Sequence, residues 1–302
     1  MTEKLSLENF NVEMTPKLVE LFSSYFGPDD RLLSEGYNSW LYSKNPFGPA
    51  KVTVISENDK WLGFMALIPV RFQRKGSRLS GYFGANVLVH PEQHGKNMFG
   101  KMISAAHGLL AKENMVLMGH PNRMAIRSWQ RAGMTFFQPL KLWWIVPRRL
   151  TRGITRSVVK SLDGDSDLWR ALEAQRMQAS SWEVVISAEI LKWRFLDHPT
   201  NSYELHWLEA EGVPVGVQIM KKMRYGISLL IDSFVLDEYA DRVLGGLPWR
   251  TLSLMPCETS AGRPKGYFAI PVDKNLPFFF TLLSADLSQH DVSRVGLTAS
   301  DF

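Results

Sequence analysis

Cysteine is almost missing from this sequence: Cys257 is the single one in 302 residues. No internal disulfide can form, so a reducing compartment is the simpler expectation, with Cys257 a small buried hydrophobe rather than a nucleophile. Long apolar runs are also missing. None approaches the roughly 20 residues that a bilayer-spanning helix needs. The opening MTEKLSLENF has no basic segment followed by an apolar one, so neither a membrane span nor a signal peptide is expected. These absences point to a cytoplasmic protein. Blocks of one charge are scarce: no Lys/Arg run exceeds PRRL at 147–150, and no zinc-finger spacing occurs. Nucleic acid is therefore not expected as a partner, nor a metal as a cofactor. A net charge of +5 and a pI near 9.2 suit a small anionic ligand instead. With 45% hydrophobic and 22% charged residues, the composition is that of a soluble folded chain.

What the chain does contain is an internal repeat. WLYSKNPFG from Trp40 is matched by WRFLDHPTN from Trp193, and Trp40, Pro46 and Gly63 recur as Trp193, Pro199 and Gly216, each displaced by 153 residues. Both copies read as a helix end, a proline turn, a strand, a tight acidic turn and a second strand. The polar stretch between them, with Gly153 and Gly164 as breakers, places a boundary near residue 155. Two α+β domains follow, 1–155 and 156–302, each of ordinary size. In the first, helical spacing is expected over 15–26 and strands at about 51–56, 61–72 and 81–90. A helix with Met98, Met102, Ala105, Ala106 and Leu109 on one face follows, then a strand at 115–119, a helix over about 122–132 and the strand MTFFQPLKLWWIV.

Between the third strand and the Met-rich helix lies GKNMFGKM, from Gly95 to Met102, close to two phosphate-binding patterns. A P-loop requires a strand running straight into its first glycine and a hydroxyl after the lysine to hold magnesium. Here HPEQH intervenes after Val89, and Met102 offers only a thioether, a poor ligand for a hard cation. A pyrophosphate can instead be held by backbone N–H groups converging at a helix N-terminus. Gly95 permits close approach, Lys96 adds charge or is simply solvated, and Asn97 tolerates a left-handed backbone.

The stretch VLVHPEQHGKNMFGKM resembles the coenzyme-binding signature of the GNAT superfamily of acyl-CoA-dependent N-acyltransferases, and GHPNRMAIRSWQRAGM is similar to that superfamily's second motif. The resemblance implies two tandem GNAT-like domains, each a mixed β-sheet flanked by helices. The second is degenerate, because LLIDSFVLDEYADRV carries acids where the loop would be. It further implies acyl-CoA or acetyl-CoA as co-substrate, with pyrophosphate at His94, Gly95, Lys96, Asn97, Met98, Phe99 and Gly100. The thioester oxygen would meet backbone N–H groups around Leu88 and Val89, and Asn122 would bond the pantetheine arm or cap a helix. His94, Asn97 and Phe99 depart from the usual Arg and Gly/Ala. Trp129 stands where many members have a tyrosine, so it packs on the coenzyme or the core. The candidate general base is His120, at the end of the 115–119 strand, with Glu92 and an acid of the second half, Asp232 or Asp286, behind it. A water chain is the alternative.

The tandem arrangement, with NPFG, GHPN and WRFLDHP, also resembles GNAT enzymes that acylate nucleotide-linked aminosugars, such as a dTDP-3-amino-3,6-dideoxyhexose, for surface polysaccharide. Ser284 stands where that group more often has Asp. Other acceptors remain open: an aminoglycoside, a polyamine, an amino acid or a protein N-terminus. So does a non-catalytic acyl-CoA-binding module.

Overall fold

The computed structural model describes residues 3–122, 124–134, 136–147, 153–179, 182–245, 247, 251–256, 267–282 and 295–296. Cys257, Ser284 and Asp286 lie outside the described residues. The first half runs β1 (Lys4–Asn9), α1 (Thr15–Ser23), α2 (Glu35–Ser43), β2 (Lys51–Glu57), β3 (Lys60–Arg74) and β4 (Ser77–Val89). It continues through α3 (Met98–Lys112), β5 (Val116–Gly119), α4 (Ile126–Arg131) and β6 (Phe136–Pro147). The second half opens with β7 (Ile154–Val159), α5 (Asp167–Met177), β8 (Trp182–Val184) and α6 (Ala188–Leu191), which passes into a π-helical turn over Lys192–Leu196. Then come β9 (Glu204–Ala210), β10 (Val213–Lys222), β11 (Ser228–Val235), α7 (Ala240–Gly245), β12 (Thr251–Pro256), β13 (Tyr267–Leu282) and β14 (Val295–Gly296).

Local sequence accounts for the helices. In α1, Pro16 sits in the first turn, where its missing N–H costs nothing, and Leu18, Leu21 and Phe22 form the buried face. Ser34 caps α2 by accepting from the Tyr37 N–H (3.4 Å). The α3 stripe is rotated slightly from the expected one: Met98, Met102, Ile103, Ala106 and Leu110 are buried, whereas Ala105 and Leu109 are half-exposed.

The repeat is visible residue by residue. Gly63 pairs with Ile55 and Trp61 with Ser56, which leaves Leu62 as an extra residue in β3. Gly216 pairs with Leu208 and Pro214 with Glu209, leaving Val215 extra in β10. All these positions differ by 153, so the same β-bulge occurs twice. The hairpin turns match as well: Asn58 and Asp59 have positive φ (50° and 67°), as do Glu211 and Gly212 (54° and 82°). Two successive left-handed residues make the turn whose twist suits a hairpin.

Strands from both halves form one sheet in the order β1-β2-β3-β4-β5-β13-β6-β12-β11-β10-β9-β7. β4 runs parallel to β5, and β11 parallel to β12. Beyond each parallel pair the halves exchange strands: β13 of the second half lines β5, and β6 of the first lines β12. β6 and β13 pair antiparallel with each other at the centre. Away from the sheet, Trp40 and Trp193 meet face to face, ring centroids 5.3 Å apart and planes 24° from parallel. Each indole N–H donates to the other's carbonyl, Trp40 to Trp193 at 2.7 Å and Trp193 to Trp40 at 3.0 Å. The most conspicuous residue of the repeat is thus also its reciprocal contact. Among the described residues no helix is long and apolar enough to cross a membrane.

Candidate active site

Three features converge at the C-terminal end of β4. The first is a bulge. Phe64 pairs with Leu88 and Ala66 with Ala85, so two residues of β4, Asn86 and Val87, face the single Met65. Asn86 takes the left-handed conformation (φ 50°), and its amide donates to the hydroxyl of buried Tyr42 at 2.8 Å. The second is a parting of strands: β4 pairs with β5 only as far as Phe83 and Met118, then runs on to Val89 paired with β3 but not with β5. His90 donates its N–H to Leu62 (2.8 Å). By the two-residue alternation of an antiparallel ladder, Leu88 therefore also faces β3, and Val89 faces the opening. The Val89 carbonyl accepts from the Tyr25 hydroxyl (2.8 Å), which also contacts Nε2 of His94.

The third feature is the loop into α3. Gly95 has φ +84°, which favours glycine, and the space where a side chain would project is open. Asn97 is left-handed at φ 56° and precedes the helix without capping it. Its side chain lies over Gly100, where a Cβ would come within 2.4 Å of Oδ1, so a larger residue at 100 would make the Asn97 side chain shift. The N–H groups of Met98, Phe99 and Gly100 open a helix of 15 residues and have no carbonyl four residues back within it. No acid occupies that first turn, and Lys96, held by Gln93 at 2.7 Å, stands beside it. A backbone anion cradle with positive charge nearby and no carboxylate in its own first turn fits a pyrophosphate.

A cavity of about 490 Å³ opens between the halves and reaches the bulge. Phe83, Ala85, Asn86 and Met118 form its end at the parted strands, and Trp40 and Trp193 lie in its wall. Its polar lining includes Arg31, Tyr37, Arg194, His198, Asn201, Tyr203 and Lys221. His198 accepts from the Thr200 and Asn201 N–H groups through Nδ1 (3.2 and 3.0 Å). Its pKa is pushed down to about 4, first by burial and then by the charges of Arg31 and Lys221, with a smaller push from Arg194. Burial raises the phenols of Tyr37 and Tyr203 above their ordinary value.

The fold has solved counterparts. A probable N-acyltransferase from Enterococcus faecalis superposes with a TM-score of 0.70 at 14% identity, over 94% of this chain and 73% of that one. A GCN5-related N-acetyltransferase from Anabaena variabilis gives 0.66 at 15% identity, over 93% and 73%. A tandem GNAT protein from the clavulanic acid biosynthesis pathway gives 0.56 at 11% identity, over 94% of this chain and all of that one. No protein-family model matches the chain, and no curated protein matches its sequence. The fold is that of a tandem GNAT protein.

Within that fold the expected residues separate into groups. Gly95 through Gly100 open α3 together, and Val89 rather than Leu88 turns toward the gap. His94 is engaged with Tyr25 instead of projecting freely. Phe99 packs edge-on against Trp129 (5.6 Å), and Trp129 is buried beneath Gly84 of β4, so both belong to the wall under the gap. Asn122 caps the turn into α4, its Oδ1 accepting from the Ala125 N–H at 2.9 Å. His120 directly follows β5, with Nε2 buried, two residues beyond the cavity-lining Met118. Glu92 is exposed in the turn after β4, 3.8 Å from Nδ1 of His90. Asp232 is buried in β11 next to the cavity-lining Ile231. The sequence reading missed the cavity's polar wall and Asn86. Its own offset of 153 carried a signal for the wall, since it pairs Leu41 with Arg194, Asn45 with His198 and Ile68 with Lys221.

Proposed function

We propose that the protein is an acyl-CoA-dependent N-acyltransferase that moves an acyl group onto the amino group of a small acceptor. The carrying observation is that the Asn86 bulge and the parted strands border the cavity at the C-terminal end of β4, from which the chain runs on into the left-handed loop and α3. The N–H groups of Met98, Phe99 and Gly100, with Lys96 beside them, are the candidates for holding the coenzyme's pyrophosphate. His94 and Asn97 flank that cradle, Asn122 and Trp129 border the pantetheine path, and the Val89 N–H points at the thioester's place in the gap, with Leu88 behind it. Bound there, an acyl-CoA supplies an activated acyl group and a thiol of pKa about 8.5 that leaves without a proton donor. The chain itself must orient the amine and take its proton. His120 is the candidate acceptor of that proton because an imidazole titrates near neutrality and it ends the strand bordering the gap. Glu92 and Asp286 are the alternatives. The favoured acceptor is a nucleotide-linked amino-deoxysugar.

The test is thiol release from acetyl-CoA across a panel of amines, with CoA affinity measured in parallel. Release with at least one amine supports the enzyme. The unusual residues at the loop, His94 and Asn97, favour the second reading, a binding module; CoA binding with no release across the panel would establish that one instead.

A further inference from the structure

The cavity wall is asymmetric in charge. Where the first half presents Leu41, Ile68 and Asn45, the second half presents Arg194, Lys221 and His198 at the positions displaced by 153. Arg31, from the turn before α2, adds a third cation, its guanidinium 5.2 Å from the Tyr37 ring. Lys221 lies 5.6 Å from the Tyr203 ring and donates to the Asn201 amide oxygen at 2.8 Å. Among the described residues, neither Arg31 nor Lys221 is paired with a carboxylate, and no aspartate or glutamate lines the cavity. Cations gathered around a recess with no carboxylate among its described lining residues repel one another, and a ligand that carries negative charge relieves that repulsion. His198 senses all three, since each depresses its pKa.

We infer that the ligand of this cavity is an anion with a ring or apolar body: an amine that carries a phosphate or a carboxylate, clasped by Arg31, Arg194 and Lys221. The aromatic faces of Tyr37 and Tyr203, already beside two of the cations, are placed to cover the ring. A volume of about 490 Å³ admits one compact small molecule. The same wall disfavours polyamines and aminoglycosides, whose several positive charges would meet like charge with no acid among the described lining residues. The inference rests on the acyltransferase reading for the ligand's amine, not for its charge.

Isothermal titration of the full chain with dTDP, with succinate and with spermidine tests it, run in excess CoA so that the loop at α3 is filled. The parent should bind at least one of the two anions and not spermidine. Binding of dTDP alone identifies a phosphate ligand, and binding of succinate alone a carboxylate. Lys221→Ile with Arg194→Leu restores what Ile68 and Leu41 provide in the first half and should weaken the anion about tenfold per cation removed. Arg31→Gln, on an exposed turn, should weaken it similarly and covers the case in which the double variant does not fold. Spermidine binding, no binding of either anion, or an anion affinity unchanged in the folded variants would overturn the inference. Failure of CoA to bind while the anion results hold would sink the acyltransferase reading and leave the anion wall standing.

Discussion

After β4 the chain takes a short 3-10 turn, spends His94 to Asn97 on a left-handed loop and enters a helix of 15 residues. After β11 it takes the same turn, Asp237–Tyr239, and enters a helix of 6 residues directly. The two sites begin alike, for His90 donates to Leu62 at 2.8 Å and Leu236 donates to the matching Val215 at 3.0 Å. Past that hydrogen bond they diverge. The first half has open N–H groups and no acid in the helix's first turn, and its loop sets that helix apart from Glu92 in the 3-10 turn; the second puts Asp237 and Glu238 into the 3-10 turn that leads directly into α7. An anion site at a helix end is favoured by a backbone cradle held clear of carboxylates, and only the first half has a loop that separates its helix from the acidic turn. Under the proposed function, one duplicated frame serves two tasks: a coenzyme cradle in the first half, and in the second most of a positive wall for the acceptor.

The sharpest way to break this division concerns the proton acceptor. If the first half supplies it, His120→Asn should lower turnover by about 10²–10⁴-fold, leave CoA affinity intact, and be partly rescued at high pH, where free amine accumulates. Asp286→Asn is the comparison from the second half. Loss of activity in that variant with little change in His120→Asn would assign the base to the wrong half.

Next in size is the contact that joins the halves. Trp40→Ala removes a buried indole, its stack on Trp193 and a reciprocal pair of hydrogen bonds, and should cost about 3–5 kcal/mol in denaturant unfolding. A loss under about 1 kcal/mol would mean that the halves are held by the exchanged strands alone.

The two bulges offer a finer comparison. Asn86, in the first, is clasped by Tyr42, whereas the extra residue of the second is the apolar Ile231. Tyr42→Phe strands the Asn86 amide and should cost about 1–3 kcal/mol of stability, with CoA affinity reduced alongside it. Unaltered stability and affinity would separate the bulge from its clasp.

The smallest effect is in pH dependence. His198 stands where the first half has Asn45, and its pKa lies at about 4 against an ordinary 6.5. The unfolded chain therefore takes up that proton first, so the contribution is present above pH 6.5 and is lost as pH falls toward 4. His198→Asn should flatten the acid limb of a stability–pH curve in that window. Asparagine can still receive the turn's N–H, as Asn45 does from Phe47 at 2.8 Å. An equally steep limb in the variant would contradict the assignment.

Much of this was legible in the sequence because it is local. The hairpins, the Met-rich helix and the left-handed Asn97 follow from periodicity and backbone preference over a few residues, and the Trp-Pro-Gly spacing exposed the duplication. The sequence does not show where a strand goes once it leaves its own half: nothing local to 267–282 says that it inserts between β5 and β6. Nor does it show that Tyr25 settles on Val89 and His94, because a contact across 69 residues is decided by packing. The cavity wall lies between these cases. No local pattern marks Arg31, Arg194 or Lys221 as cavity residues; the cavity is formed by both halves of the repeat.

The most direct test is calorimetric titration with CoA of the parent, Gly95→Glu, and Asp237→Asn with Glu238→Gln. The account predicts one CoA per chain, at least a tenfold loss in Gly95→Glu (about 1.4 kcal/mol), and no change in the second-half variant. Two CoA per chain, or an unchanged affinity in a folded Gly95→Glu protein, would contradict it.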